Sequence, residues 1–133
     1  MKVGGLHHLA LLARDVAHVA GFYRDVLGLE EAQRHLHPDG TLRSIWLRLG
    51  TGPAFLTVEQ ADASAARAGE MGAGLFLLAL SIPAAARAEV VARLWGHGVQ
   101  VEKESRWTVY FRDVEGNRVA VSHHPEDTPA DPA

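Results

Sequence analysis

The sequence predicts an α+β protein made of two tandem βαβββ modules, whose curved mixed sheets surround a concave cavity. A strand-like segment over residues 6–12 leads into a helical segment over 16–27, and the same succession recurs over 75–82 and 84–95. Three short β-like segments follow each helix. A repeat of this size indicates two similar modules. The space enclosed by two curved sheets is a typical binding place for a small molecule or a metal ion.

The first module combines a two-faced strand with an amphipathic helix. Because side chains alternate along a strand, His8, Ala10 and Leu12 share one face. Asp15 suits the helix N-cap, and Gly28 suits the left-handed residue that ends the helix. Apolar residues recur at helical spacing: Val16, Val19, Ala20, Tyr23, Val26 and Leu27. The helix is expected to cover one face of the sheet and to leave the face of His8 for the cavity.

The second module repeats this arrangement with different side chains. By repeat alignment, Leu77, Ala79 and Ser81 take the places of the three cavity-facing residues of the first strand. Pro83 presets the first helical turn. The buried stripe of this helix, which is predicted to end at Gly96, consists of Val90, Val91, Leu94 and Trp95. The alanine therefore recurs in the repeat, and the histidine does not.

The remaining segments complete both modules. Further strands are predicted over 29–36, 42–49 and 54–59, and over 98–103, 106–112 and 117–123. Module one spans about 5–60, the linker 61–73 and module two about 74–124. The polar, proline-rich residues 125–133 are expected to form a flexible tail.

Composition excludes several classes of function. A chain of 133 residues fits a single compact domain. Its net charge is −3 and its arginines form no basic stripe, so nucleic acid is not an expected partner. The apolar run over 74–83 is too short to span a membrane, and no membrane partner is expected. The absence of cysteine fits a reducing compartment, and a cytoplasmic location is predicted.

Three segments carry a resemblance to a known family. They are the strand of His8 leading into Asp15, the residues from Phe22 to Leu29, and the closing residues from Tyr110 to Val119. Together they resemble the vicinal oxygen chelate superfamily of glyoxalases, bleomycin-resistance proteins, fosfomycin-resistance enzymes and extradiol dioxygenases. The resemblance implies paired βαβββ modules in a single domain over 1–124, and commonly a homodimer. It does not fix the reaction, since one fold hosts many chemistries.

The resemblance also implies four metal-ligand positions. They are a His on the first strand, a Glu or His on the fourth, a His opening the second module and a Glu on the last strand. His8 matches the first position, whereas the others fall on Thr57, Leu77 and Ala120. Leucine and alanine have no atom that could coordinate a cation. No metal cofactor is therefore expected, and the candidates for a rearranged divalent-metal site are His8 and Glu59.

Other histidines have no motif behind them. His35 and His37 alternate on the second strand and could face one site, while His123 and His124 end the last strand. A non-standard metal site that combines His8 with His35 or His37 and His124 is an open alternative. The sequence assigns no role to these four residues.

The cavity wall is predicted from strand parity. The candidate ligand-binding residues are His8, Ala10, Leu12, Trp46, Phe55, Thr57, Leu77, Ala79, Trp107, Arg118 and Ala120. Trp46 and Trp107 either offer flat surfaces to a planar ligand or fill the core. Arg118 either faces an anionic group of a ligand or lies at the rim in water.

Three functions follow from these residues. The first is a small-molecule-binding protein of the bleomycin-resistance type that lacks the usual metal site. The second is a divalent-metal-dependent lyase, isomerase or dioxygenase of the glyoxalase type with a rearranged site. The third is a regulatory or structural module with a vestigial pocket. The lost ligands favour the small-molecule binder, for which no catalytic residue is identified.

Overall fold

The computed structural model describes residues 1–68 and 72–128. The chain divides into two compact units, Met1–Arg67 and Ala68–Ala133, and each has its own four-stranded mixed sheet and its own helix. The α+β class predicted from the repeat is therefore confirmed. Residues 69–71 of the predicted linker and 129–133 of the predicted tail lie outside the described residues.

The first unit has the order strand, helix and three strands. Its elements are β1 (His8–Ala13), α1 (Val16–Asp25), β2 (Glu31–Leu36), β3 (Leu42–Arg48) and β4 (Phe55–Gln60). The strands lie in the order β1-β4-β3-β2, with β1 parallel to β4 and the other neighbours antiparallel. The first and last strands of the unit are thus adjacent, which places the start of β1 beside the start of β4.

Helix α1 begins and ends where the sequence indicates. The Asp15 carboxylate accepts a hydrogen bond from the His18 backbone N–H at 3.0 Å. Gly28 has a φ of 74°, and its N–H donates to the Arg24 carbonyl at 3.0 Å. This conformation suits glycine because a Cβ is disfavoured at positive φ. The residues that α1 buries against the sheet are Val16, Val19, Ala20, Phe22 and Tyr23.

The second unit repeats the topology of the first. Its elements are β5 (Leu78–Ser81), a 3₁₀ turn (Ala84–Ala86), α2 (Arg87–Gly96), β6 (Lys103–Glu104), β7 (Thr108–Arg112) and β8 (Arg118–Ser122). The strand order is β5-β8-β7-β6, with β5 parallel to β8. The repeat read from the sequence is therefore present in the order of elements and in the pairing of strands.

The end of α2 differs from the prediction. Gly98 rather than Gly96 takes the left-handed conformation, with a φ of 71°. The Val99 N–H donates to the Leu94 carbonyl at 2.8 Å and the Gly98 N–H to the Trp95 carbonyl at 3.0 Å. These two bonds form a Schellman motif, which satisfies carbonyls that the end of a helix would leave unpaired.

The predicted buried stripe of α2 is wrong at Trp95. The side chain of Trp95 is 74% exposed, and Leu94 is the α2 residue that is fully buried. Leu94 points inward, and the next residue, about 100° further round the helix, falls outside the buried side of α2. The helix turns Leu94 inward and leaves the indole on the surface.

Three further boundaries differ from the prediction. The strand expected over 98–103 is reduced to Lys103–Glu104, and the Schellman motif takes up the first two of its predicted residues, Gly98 and Val99. Trp107 precedes β7, and Leu77 precedes β5. In the predicted tail, the Asp127 carboxylate accepts two hydrogen bonds from Arg106, at 2.7 and 2.8 Å. Within the described ranges, no helix has the length and apolar character needed to cross a membrane.

Candidate functional site

The sheet of the first unit has two chemically different faces. One face packs against α1 and carries fully buried aliphatic side chains: Ile45, Leu47, Leu56 and Val58. The other face, called here the open face of the first sheet, carries the alternate residues. Strand register pairs His8 with Phe55, Ala10 with Thr57, and Thr57 with Trp46. The residues of this unit that were predicted to face a cavity therefore lie on one face of the sheet.

Four aromatic rings form a row across the strands of this face. The ring centroids of His8 and Phe55 are 5.1 Å apart, those of Phe55 and Trp46 4.7 Å, and those of Trp46 and His35 4.9 Å. The first two pairs are stacked, with interplanar angles of 13° and 21°. Each such pair adds about 0.5–1.5 kcal/mol beyond its area of burial. We call this set the aromatic row.

Three polar atoms on the same face are buried without a partner. They are the His35 Nε2, the Trp46 Nε1 and the Thr57 Oγ1, and none has a hydrogen bond among the described residues. Thr57 is only 2% exposed. Leaving such an atom unpaired costs about 1–3 kcal/mol, and native proteins rarely do so. Three of these atoms close to one row of rings indicate a place where a ligand or ordered water completes the hydrogen bonding.

The hydrogen-bonding chemistry of this face is specific. The indole N–H of Trp46 can only donate, the hydroxyl of Thr57 can donate and accept, and the Nε2 of His35 does one or the other according to its tautomer. A molecule that offers oxygen acceptors above an apolar ring surface would satisfy this set. Tertiary contacts decide which atoms lack partners, so strand parity raised His35 only as a possible pair with His37 and left it out of the predicted cavity wall.

The metal ligands implied by the resemblance do not fit this chain. The Nδ1 atoms of His7 and His8 lie 2.9 Å apart, and the ring of His8 is stacked on Phe55. Glu59 pairs with Leu12 and thus lies four residues further along the strands, about 13 Å from the level of His8. Over residues 1–68 and 72–128, no group of three or more His, Asp or Glu side chains could hold a metal ion.

The matching positions of the second unit also lack donors. Ala79 pairs with Ala120 exactly as Ala10 pairs with Thr57, so the predicted register of the repeat agrees with the strand pairing. Ala120 thus stands where the first unit has Thr57, and Leu77 where it has His8. Neither side chain carries a ligand atom, and we derive no chemistry through a metal.

The open face of the second sheet is defined by the same parity and carries a cation. This face carries the pair of Ala120 and Tyr110 and, two residues along each strand, the pair of Arg118 on β8 and Arg112 on β7. The guanidinium carbon of Arg118 is 4.5 Å from the ring centroid of Phe76. Its Nε is buried and has no hydrogen-bond partner in the part of the chain that the structure describes.

Trp107 lies just before β7, and its Nε1 is buried without a hydrogen-bond partner among the described residues. It contacts the guanidinium of Arg106, at 4.9 Å from the ring, and the ring of His124, at 4.8 Å between centroids. His37 lies in the β2–β3 turn, where its N–H donates to the Thr41 carbonyl at 2.7 Å.

His123 is a buried residue whose partners the sequence did not indicate. It is 4% exposed, and its Nε2 lies 3.1 Å from the Nη1 of Arg87. A guanidinium can only donate, so this Nε2 accepts. The Nδ1 then carries the proton and donates to the Glu126 carbonyl at 2.5 Å. Arg87 also donates to the carbonyls of Ser105 and Arg106, which makes the cluster a structural link between α2 and the residues before β7.

Solved structures share this fold. A lactoylglutathione lyase from Agrobacterium tumefaciens is 26% identical, with a TM-score of 0.66, and the match covers 93% of this chain and 96% of that one. A glyoxalase/dioxygenase from Nostoc punctiforme is 18% identical, with a TM-score of 0.76 and 92% of both chains covered. A point mutant of the fosfomycin resistance protein FosX from Listeria monocytogenes, solved with Mn(II) and 1S,2S-dihydroxypropylphosphonic acid, is 17% identical, with a TM-score of 0.73, and the match covers 92% of this chain and 93% of that one.

A search of curated proteins gives no match. The family model of the glyoxalase/bleomycin resistance protein/dioxygenase superfamily matches residues 5–121, which is nearly the whole chain. This match agrees with the paired βαβββ units and with the resemblance of the three sequence segments. The chain belongs to the glyoxalase/bleomycin resistance protein/dioxygenase superfamily.

Proposed function

We propose that this protein binds a small organic molecule on the open face of its first sheet and does so without the metal ion used by metalloenzymes of its superfamily. The observation that carries the proposal is the set of three buried, unpaired polar atoms beside the aromatic row, at His35, Trp46 and Thr57. The ligand has an apolar, planar part that contacts the rings and oxygen atoms that accept hydrogen bonds.

The free-energy argument starts from the unliganded protein. Each unpaired buried atom costs about 1–3 kcal/mol, whereas a satisfied hydrogen bond contributes about 0.5–1.5 kcal/mol. A ligand that supplies the missing partners removes this cost and forms the hydrogen bonds, and both changes favour binding. The aromatic row adds apolar contact, which is the usual basis of affinity in small-molecule sites.

The metal-free part of the proposal rests on side-chain identity. Leu77 and Ala120 occupy two of the four positions at which metalloenzymes of the superfamily are expected to carry ligands. Metal-assisted chemistry of the glyoxalase type needs an ion that polarises substrate oxygens and a carboxylate that moves a proton. Neither requirement is met by the residues at those positions.

The proposed working form is a homodimer in which residues 1–124 act as a single domain. This part of the proposal extends the family resemblance. Sedimentation equilibrium of the purified protein tests it by measuring the molecular mass in solution. A monomeric mass across the concentration range would remove the dimer from the proposal and leave the binding face intact.

The test combines a metal measurement with a ligand screen. The purified protein is incubated with Mn²⁺, Fe²⁺, Ni²⁺ and Zn²⁺, desalted and subjected to elemental analysis, and we expect no stoichiometric metal. A thermal-shift screen of planar compounds bearing carboxylate, phenol or carbonyl oxygens then identifies ligands. One metal ion retained per chain would contradict the metal-free proposal.

Thr57→Val separates the binding proposal from a purely structural role. Valine keeps the shape of threonine and removes the unpaired hydroxyl, so the unliganded variant should be as stable as the wild type or more stable. Its affinity for a ligand from the screen should fall by roughly 5–30-fold, equivalent to about 1–2 kcal/mol. Thr51→Val, at an exposed turn residue, is the matched control and should change neither quantity.

A loss of more than about 1 kcal/mol of unfolding free energy in unliganded Thr57→Val would show that the hydroxyl already has a partner in the folded protein. That result, or an unchanged ligand affinity, would count against the open face of the first sheet as the binding site.

A further inference from the structure

We propose that Arg118, on the open face of the second sheet, binds an oxyanion such as a phosphate, a phosphonate or a carboxylate. This site lies within the second unit. It does not depend on the ligand proposed for the first sheet, and it can be tested with simple anions alone.

The first step is the local charge. Arg118 and Arg112 are directly opposite each other on β8 and β7. Like charges in this position repel each other unless each is compensated. Arg112 is compensated, because its Nε donates to the Glu102 carboxylate at 2.8 Å and its Nη1 to the Gly116 carbonyl at 2.8 Å. Arg118 has no carboxylate within ion-pair distance among the described residues, so the positive charge of its guanidinium is not compensated.

The second step is the state of the Arg118 guanidinium. Its Nε–H is buried and unpaired within the described ranges, which is costly for a donor of a charged group. The ring of Phe76 lies 4.5 Å from the guanidinium carbon and contributes a cation–π contact. That contact holds the charge but accepts no hydrogen bond in the guanidinium plane. The fork of in-plane N–H groups is therefore left for an acceptor.

The third step is the chemical class of that acceptor. A guanidinium presents parallel N–H groups whose spacing matches two oxygens of a carboxylate or a phosphate, and such bidentate pairs are the strong ones. Lys103, whose ammonium lies 5.8 Å from the ring centroid of Tyr110, adds a second positive charge to the same sheet. An anion at Arg118 would satisfy the unpaired Nε–H and cancel the uncompensated charge in one contact.

The experiment measures binding of inorganic phosphate, methylphosphonate, acetate and phenylphosphonate by calorimetry at constant ionic strength. We expect the wild type to bind at least one of them and Arg118→Gln to lose at least about tenfold in affinity, the factor that corresponds to 1.4 kcal/mol. Arg118→Lys keeps the charge without the fork and should fall between the two. Arg34→Gln removes a cation that Glu31 already compensates in the first unit, and it should bind as the wild type does.

The two sources of the anion give different patterns. Binding of inorganic phosphate as tight as that of phenylphosphonate indicates a free anion, whereas binding of phenylphosphonate alone indicates the anionic group of an organic ligand. Thr57→Val alters the open face of the first sheet and leaves Arg118 unchanged. It should therefore still bind methylphosphonate, whether or not the first sheet binds a ligand. Wild-type affinity in Arg118→Gln, with native circular dichroism, would overturn the proposal, as would the absence of binding of all four anions to the wild type.

Discussion

The two units share one topology but differ in the chemistry of their open faces. In both sheets the first strand is parallel to the last, and Ala10 pairs with Thr57 as Ala79 pairs with Ala120. The first open face carries stacked rings and unpaired polar atoms, whereas the second carries the small side chains of Ala79 and Ala120 beside Tyr110, Arg112 and Arg118. The comparison teaches that the strand framework of a duplicated unit tolerates very different surface residues, so that function can diverge without a change of fold.

The helices of the two units also differ in how much they bury. Helix α1 buries five side chains against its sheet, and α2 buries Leu94. Both helices have ten residues, so length does not explain the difference. The buried residues of α1 include two large aromatic side chains, Phe22 and Tyr23, whereas α2 places its largest side chain, Trp95, on the solvent side. We therefore expect the first helix to contribute more stability than the second.

The largest effect is expected from aromatic-to-alanine substitutions in the two helices. Tyr23 is fully buried, and Tyr23→Ala should lower the unfolding free energy by about 3–5 kcal/mol, as usual for a large ring removed from a core. Trp95→Ala should change it by less than about 0.5 kcal/mol, since the indole is exposed. Urea denaturation followed by circular dichroism measures both values.

Tyr23→Phe is the control for the hydroxyl of Tyr23 and should cost less than Tyr23→Ala. Equal losses in Tyr23→Ala and Trp95→Ala would contradict the comparison of the helices, because they would mean that the Trp95 side chain is covered in solution.

The second-largest effect on stability is expected from the carboxylates of two turns, one in each unit. Asp113 is 3% exposed and accepts hydrogen bonds from the Glu115 N–H, the Asn117 N–H and the Asn117 side chain, all at 2.9 Å. Asp113→Ala leaves these donors without an acceptor and should cost about 2–3 kcal/mol. Asp113→Asn keeps one acceptor oxygen and should cost less. Thermal and urea unfolding of the two variants give the values, and a cost in Asp113→Ala below that of Asp113→Asn would contradict the assignment.

Asp39, in a turn of the first unit, is the exposed counterpart. Its carboxylate accepts from the Thr41 hydroxyl at 2.6 Å and from the Thr41 N–H at 2.9 Å, and these bonds lower the pKa of Asp39 below its usual 3.8. Because the folded-state pKa is lowered, the stabilising contribution is complete above pH 3.8 and declines as the pH falls through the folded-state pKa. A carboxyl pKa at or above 3.8 in an NMR titration would contradict this expectation.

The smallest effect is expected at the helix starts. Asp15 caps α1 through the His18 N–H, and Asp15→Ala should cost about 1 kcal/mol. Asp15→Asn keeps a capping oxygen and should lower the unfolding free energy by only a few tenths of a kcal/mol. Among the described residues, the N-cap side chains of α2 and of the preceding 3₁₀ turn make no such bond, whereas the Glu126 carboxylate accepts a hydrogen bond from the Ala84 N–H at 3.3 Å. An Asp15→Ala variant as stable as the wild type in urea would show that the cap contributes nothing.

Several features of the fold were predictable because they depend on local chemistry. The stop at Gly28 follows from the freedom of glycine at positive φ, and the cap at Asp15 from the need of the first helical N–H groups for an acceptor. Strand parity is equally local, which is why the register read from the repeat agrees with the observed strand pairing. The error at Trp95 has a different origin, since a pattern of apolar residues does not tell which of two neighbours faces the sheet.

The sequence by itself determined the α+β class, the repeat, the register of the paired first strands and the loss of ligand atoms at Leu77 and Ala120, because these depend on spacing and residue type. Only the tertiary structure decided which polar atoms are buried without partners among the described residues, at His35, Trp46, Thr57, Trp107 and Arg118, and that His123 is held by Arg87. The physical reason is that a hydrogen bond needs two groups within about 3 Å of each other, and residues distant in the sequence meet at that range only in the folded chain.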